Sequence, residues 1–161
     1  MIFVTVGTHE QQFNRLVEYM DQWAANHDEP VIIQTGYSRY EPKHCQWKRL
    51  YPHEEITELI KEARIVISHG GPSSFVMVLK EKKIPIVVPR QLAYNEHIND
   101  HQLDFCRELA RRWENIILVE DVDALSNVIE RYDDLTKDMR NDYTSNTENF
   151  VTRIEDMIEE L

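Results

Sequence analysis

Two short turns rich in small residues carry the clearest chemical signal in the sequence: Gly7-Thr8-His9 and His69-Gly70-Gly71-Pro72-Ser73-Ser74. Each follows a short apolar run and leads into a helical pattern. Glycine lets the main chain come close to a phosphate oxygen. A helix N-terminus adds amides without intrahelical partners and a partial positive charge. The hydroxyls of Thr8, Ser73 and Ser74 are further donors. Together the turns suit an anion such as a diphosphate. A third segment, residues 89–102, gathers Arg90, Gln91, Glu96, His97, Asp100, His101 and Gln102. Arg90 suits a phosphate. Asp100 and Gln102 suit the hydroxyls of a sugar, each of which both donates and accepts. Gln102 falls on the apolar side of its helical pattern, where an amide without a partner is costly.

Several other chemistries lack their residues. No GxGxxG follows the first strand pattern and no GxxxxGK[ST] occurs, so neither dinucleotide nor P-loop triphosphate binding is indicated. His97 and His101 have a usable zinc spacing, but no HExxH accompanies them; neither a metal nor a cofactor is expected. Cys45 and Cys106 form no paired motif, which argues against a disulfide scaffold. No nucleophile elbow is present. The net charge of −11 opposes binding of nucleic acid or anionic lipid through a broad basic surface. An anionic ligand must then be held locally, by the turns. The N-terminus has no basic flank and no 18 apolar residues run together, so a cytoplasmic location is expected.

The elements that must position these residues follow from periodicity. Short apolar runs predict strands over residues 2–6, 31–34, 47–51, 65–68, 84–89 and 116–119. Helical spacing predicts helices over 13–24, 52–62, 75–82, 98–113, 122–132 and 150–161. Thr8 with Gln11 matches a capping box, and Asp121 is the expected N-cap of the fifth helix. Strands alternating with helices mean βαβ units, a parallel sheet and helices on both faces. The expected fold is an α/β, doubly wound, Rossmann-like sheet of about six strands in the order 3-2-1-4-5-6, forming one domain over residues 1–161. In such a sheet ligands bind at the carboxyl ends of the strands, where the order reverses. The turns after strands one and four flank that point.

At these residues a family resemblance emerges. The segments FVTVGTHEQQFNRL, VISHGGPSS and IPIVVPRQ with EHINDHQ resemble the C-terminal, donor-binding domain of GT-B glycosyltransferases of the family 28 type. The likeness is greatest to the short catalytic subunits of bacterial two-subunit enzymes of exopolysaccharide and capsule synthesis. It implies that Gly7, Thr8 and His9 form the first diphosphate-side loop, and that His69, Gly70, Gly71, Ser73 and Ser74 form the second. It further implies that Asp100, His101 and Gln102 read the donor sugar, that Arg90, Gln91, Glu96 and His97 belong to the extended form of the bacterial group, and that uracil rests near residues 51–53. The sequence departs from the pattern at about Met77, where many such domains carry a glutamate for the ribose hydroxyls.

The resemblance implies half of a GT-B fold. It also implies inverting transfer of a hexose from a UDP-sugar, with UDP-galactose the first guess, to a lipid-linked saccharide acceptor. The implied partner is a membrane-associated acceptor-binding subunit that holds the protein at the inner face of the membrane; the helix over 150–161 is either its docking element or a helix folded back on the core. His9 is the candidate catalytic or diphosphate-contacting residue. The alternative is a non-catalytic nucleotide-sugar-binding accessory subunit. A receiver-like signalling module needs a carboxylate at the end of the first strand, where this chain has Gly-Thr-His.

Overall fold

The computed structural model describes residues 1–113 and 115–139, together with Asp156. The helix expected over 150–161 therefore falls, apart from Asp156, outside the described residues. The strands are β1 (Ile2–Thr5), β2 (Val31–Gln34), β3 (Gln46–Lys48), β4 (Ile65–His69), β5 (Ile86–Val88) and β6 (Ile117–Leu118). The helices are α1 (Asn14–Ala25), α2 (His53–Glu62), α3 (Pro72–Lys80), α4 (His101–Arg112), α5 (Leu125–Glu130) and α6 (Tyr132–Thr136), with short 3-10 turns at Leu92–Tyr94 and Val122–Ala124.

The strands form one six-stranded sheet in the order β3-β2-β1-β4-β5-β6, as the spacing implied, and every pairing is parallel. Because side chains alternate along a strand, the apolar runs feed two cores. Ile2, Val4, Ile65, Ile67, Ile86 and Val88 meet Leu16, Val17 and Met20 of α1 and Leu125, Ile129 and Tyr132. On the other face Phe3 and Val66 meet Ile60 and Val78, while Val87 meets Phe75, Phe105 and Leu109. Each such side chain removed from water contributes about 1.5–3 kcal/mol. β1 is buried on both faces between β2 and β4, so the loop that leaves it is held at the centre of the sheet.

Four local differences from the sequence reading have physical causes. β3 stops at Lys48 rather than running to residue 51. The Arg49 carbonyl instead accepts from the Gly36 amide at 2.8 Å, and the Tyr51 amide donates to Gln34 Oε1. α4 begins at His101 rather than at residue 98: the His101 amide donates to Asn99 Oδ1 and the Leu92 amide to Asp100 Oδ1, local bonds that compete with a helical turn. α3 begins earlier than residue 75, with Pro72 in its first turn, and is followed by Lys82 at φ 64°. The capping box at Thr8 does not form. α1 starts at Asn14 with Phe13 before it, and Ser38 Oγ accepts from the Phe13 amide, taking the capping role from another loop. As expected, Asp121 accepts from the Asp123 amide, although the turn it caps is 3-10 and precedes α5. Lys83 Nζ closes the far end of α2, donating to the Ile60, Lys61 and Ala63 carbonyls at 2.6 Å each.

Candidate functional site

β1 and β4 are neighbours, but the helices that follow them, α1 and α3, pack on opposite faces. Their loops therefore diverge and leave a crevice at the carboxyl ends. It is a cleft of about 590 Å³. Thr5, Gly7, Thr8 and His9 form one side; His69, Gly71, Ser73, Ser74 and Met77 form the other; Gln34, His53, Ile56, Ile60 and Gln102 complete the lining.

The His69 imidazole sets the distance between the two loops. A Cβ on Gly7 would lie 2.3 Å from its Nε2, and a Cβ on Gly71 would lie 2.1 Å from its Cε1. Both positions thus require glycine for space, and Gly7 also sits at φ 74°, where a side chain is strained. The Gly71 amide donates to His69 Nδ1 at 3.1 Å, which makes Nδ1 an acceptor. In the neutral ring the proton then lies on Nε2, 3.0 Å from Ser74 Oγ. Burial, reinforced by the nearby Arg90, His9 and His97, pushes the His69 pKa down to about 3, so the neutral form prevails. His69 thus donates to Ser74, and the serine proton is left for a ligand. This pair is not a nucleophile with its base, because the nitrogen facing the serine already holds a proton.

The main-chain amides of the glycines point into the protein, which corrects the expectation that they cradle an anion. The Gly7 amide donates to Thr5 Oγ1, the Gly70 amide to Gln102 Oε1 and the Gly71 amide to His69 Nδ1. Among the donors left at the cleft are the hydroxyls of Ser73 and Ser74 and the first-turn amide of Ser73, which takes no partner among the described residues. The glycines permit close packing of the loops; on the β4 side the serines supply the donors.

His9 lines the cleft and its Nδ1 accepts from the Gln11 amide at 3.1 Å. The neutral ring therefore carries its proton on Nε2 and acts there as a donor. Its ring stacks on His97 with centroids 4.9 Å apart. Burial and the Arg90 charge lower the His9 pKa; burial, His9 and Arg90 lower that of His97.

Arg90 takes a different place from the one its charge suggested. It is wholly buried. Nη1 donates to the Gln11, Gln12 and Glu96 carbonyls at 2.8, 3.1 and 3.2 Å, and Nη2 to the Val6 carbonyl at 2.7 Å. Its side chain ties the loop after β1 to the loop after β5 and does not line the cleft. Burial lowers its pKa to about 10, which leaves it charged. Glu96, also wholly buried, forms a two-pronged pair with Arg15 at 3.0 Å for both contacts and accepts from the Gln91 amide. The Gln91 side chain donates to the Glu120 carbonyl.

Gln102 has the partners that its place on an apolar helix side demanded. Its Oε1 accepts from the Gly70 amide at 3.1 Å and the Arg90 amide at 2.7 Å, joining the loops after β4 and β5, while its side chain reaches the cleft. Asp100 Oδ1 holds the Leu92 amide. Neither Asp100 nor the exposed His101 lines the cleft. Thr5, Gln34, Ile56 and Ile60 line it and were not singled out from sequence, whereas His53, also in the lining, falls in the segment 51–53 that the resemblance assigned to the uracil. Thr5 Oγ1 accepts from the Gly7 amide and from Gln34 Nε2, and Gln34 Oε1 accepts from the Tyr51 amide. A detectable signal existed for these two: a polar residue as the last member of an otherwise apolar buried strand.

This sheet, with its crevice at the strand-order reversal, has relatives. The chain belongs to the glycosyltransferase family 28 C-terminal domain family, whose model matches residues 1–161. Its fold is similar to that of the glycosyltransferase SnogD from Streptomyces nogalater, with a TM-score of 0.52 at 14% identity over 81% of this chain and 34% of that one. It is also similar to the glycotransferase of kitacinnamycin, with a TM-score of 0.53 at 15% identity over 99% of this chain and 42% of that one. The chain thus spans well under half the length of either structure. No curated protein matches it. The likenesses establish the fold as a Rossmann-like half of the GT-B type.

Proposed function

We propose that the chain is the donor-binding half of an inverting glycosyltransferase that moves a hexose from a UDP-sugar, UDP-galactose first, to a lipid-linked saccharide in exopolysaccharide or capsule synthesis. The observation that carries this reading is the cleft between the β1 and β4 loops. Its volume of about 590 Å³ falls in the range of roughly 300–1,000 Å³ usual for small-molecule sites. The diphosphate lies against Ser73, Ser74 and the Nε2–H of His9. The nucleoside lies along the wall of His53, Ile56, Ile60 and Met77. Donors fixed in advance stabilise the charge that grows on the departing UDP; removal of one such donor in a preorganised site typically costs about 2.7–4 kcal/mol of barrier.

The same lining motivates a partner. No carboxylate stands among its described residues, Nδ1 of His9 is engaged by the Gln11 amide, and His69 is fixed as a donor. The general base for the acceptor hydroxyl then comes from a membrane-associated acceptor-binding subunit, which also brings the chain to the inner face of the membrane. That lack of a base equally favours a second reading, a non-catalytic nucleotide-sugar-binding accessory subunit. A donor screen with UDP-galactose, UDP-glucuronate and UDP-N-acetylglucosamine, run with and without the co-expressed membrane subunit, separates the two. Transfer that requires both chains, and is lost in Ser74→Val, supports the first. Donor binding without transfer in any combination supports the second, and transfer by the isolated chain refutes the need for a partner.

A further inference from the structure

A second groove, of about 500 Å³, lies between β3 and α2 and shares no residue with the cleft. β3 is an edge strand, with β2 as its only partner among the described residues. The Lys48 carbonyl accepts from the Thr35 amide at 3.0 Å on the β2 side, so the peptide N–H and C=O of Trp47, the preceding residue, face the open edge. Glu54, Glu55, Glu58 and Glu62 of α2 line the groove and are exposed. Lys48 meets Glu55 at 3.4 Å and Lys61 meets Glu58 at 3.8 Å, which leaves Glu54 and Glu62 with no ion pair among the described residues. These carboxylates do not serve the helix throughout its length. Like charges four residues apart repel, and Glu62 ends α2, where the helix dipole opposes a negative charge. Exposed acidic residues are ordinary in themselves, but the groove has a second feature. Tyr51 lines it, is only 8% exposed, and its buried hydroxyl has no hydrogen-bond partner among the described residues. Such a group is costly to leave unpaired. Lys48 Nζ stands 5.1 Å from the Tyr51 ring centroid, and burial together with the Glu55 charge raises the Tyr51 pKa, so this side chain sits among the charges of the groove.

We propose that this groove receives an extended, lysine- or arginine-rich segment of a partner protein, whose alternate side chains meet Glu54, Glu58 and Glu62 and one of whose donors takes the Tyr51 hydroxyl. The spacing fits an extended chain. Four residues of a helix rise about 6 Å, and alternate side chains of a strand stand about 6.6–6.8 Å apart, so three successive cations stay in step with three carboxylates. The open edge of β3 favours a polypeptide over a free polyamine. The outward N–H of Trp47 requires an acceptor, which a peptide carbonyl supplies and a polyammonium chain lacks. The overall charge of −11 adds a long-range attraction for a basic partner.

The test titrates the full chain at low ionic strength with three probes: a short peptide in which three lysines alternate with threonines, its isomer with the lysines adjacent, and spermine. The alternating peptide is expected to bind at one site and more tightly than either of the others. Its affinity is expected to fall at least about threefold in the triple variant E54Q/E58Q/E62Q and to stay near that of the parent in E41Q/D104N/D123N, which makes the same change of charge at exposed residues elsewhere. Tyr51→Phe is expected to weaken the peptide without lowering the melting temperature of the free chain, because the hydroxyl it removes has no partner there. No binding of the alternating peptide at millimolar concentration overturns the proposal. Equal binding of the isomer, equal losses in the two triple variants, or an affinity unchanged by Tyr51→Phe overturns it as well, and tighter binding of spermine replaces the protein segment with a small amine. UDP affinity is expected to be the same in E54Q/E58Q/E62Q as in the parent, so the groove stands or falls independently of the cleft.

Discussion

Replacing Gly71 by alanine isolates the packing on which the cleft depends. Gly71 sits at φ −72° and ψ 119°, a conformation that alanine adopts without strain, so the effect of the substitution is steric. The new methyl would lie 2.1 Å from Cε1 of His69, against about 3.5–4.0 Å for an ordinary carbon contact. The ring cannot retreat, because the main chain of Gly7 backs its other side with a Cβ position only 2.3 Å away. Either His69 leaves its site or the loop after β4 moves. Overpacking of this kind costs about 1–3 kcal/mol. Loss of the bonds from Gly71 to His69 and from His69 to Ser74 adds about 0.5–1.5 kcal/mol each. The whole comes to about 2–6 kcal/mol, a large part of the ~5–15 kcal/mol typical of a domain. Urea unfolding reads it as a lower midpoint at unchanged slope. In a His69→Ala background the obstacle is gone, and Gly71→Ala is expected to cost little, a coupling that a double-mutant cycle measures. The steric reasoning fails if Gly71→Ala unfolds within about 0.5 kcal/mol of the parent, or if it costs as much with His69 absent as with His69 present.

Two further outcomes follow from buried charge. Arg90→Met leaves the Val6, Gln11, Gln12 and Glu96 carbonyls without their donor and is expected to destabilise by about 3–5 kcal/mol, with faster amide exchange over residues 6–13; a loss under about 1 kcal/mol contradicts its assignment as an internal tie. His69 has a folded pKa of about 3 against 6.5 when free, so the unfolded chain takes up the proton first as pH falls. Its contribution is fully present above pH 6.5 and is lost progressively toward pH 3, at up to about 1.4 kcal/mol per pH unit. Urea midpoints should therefore fall more steeply below pH 6.5 in the parent than in His69→Gln; parallel curves would contradict a neutral buried ring.

The strand order was legible because each buried strand is a short, continuous apolar run and the connections alternate regularly with helices. The position of the cleft followed from that order alone, since the loops after β1 and β4 flank its reversal. What the sequence concealed were contacts between distant residues. The Glu96 carboxylate pairs with Arg15, 81 positions away, and Arg90 reaches the Val6 carbonyl, 84 positions away. No local pattern distinguishes such buried ions from residues that face a ligand. Glycines raised the same ambiguity. Gly70 and Gly71 look like amide donors in sequence, but the side chains that take their amides, Gln102 and His69, become evident only in the folded chain. Gln102 alone gave warning, through its place on the apolar side of α4. The start of α4 was misplaced because Ile98 continues the apolar period, although it is 73% exposed on the rim of the cleft.

The most direct test is calorimetric titration of the chain with UDP, with NAD as the control ligand and Ser74→Val as the control protein. UDP is expected to bind with one site per chain, to bind markedly less well in the folded Ser74→Val variant, and NAD is expected to give no heat. The absence of UDP binding at millimolar concentration, or an affinity unchanged by Ser74→Val, would show that the cleft between the β1 and β4 loops is not a diphosphate site.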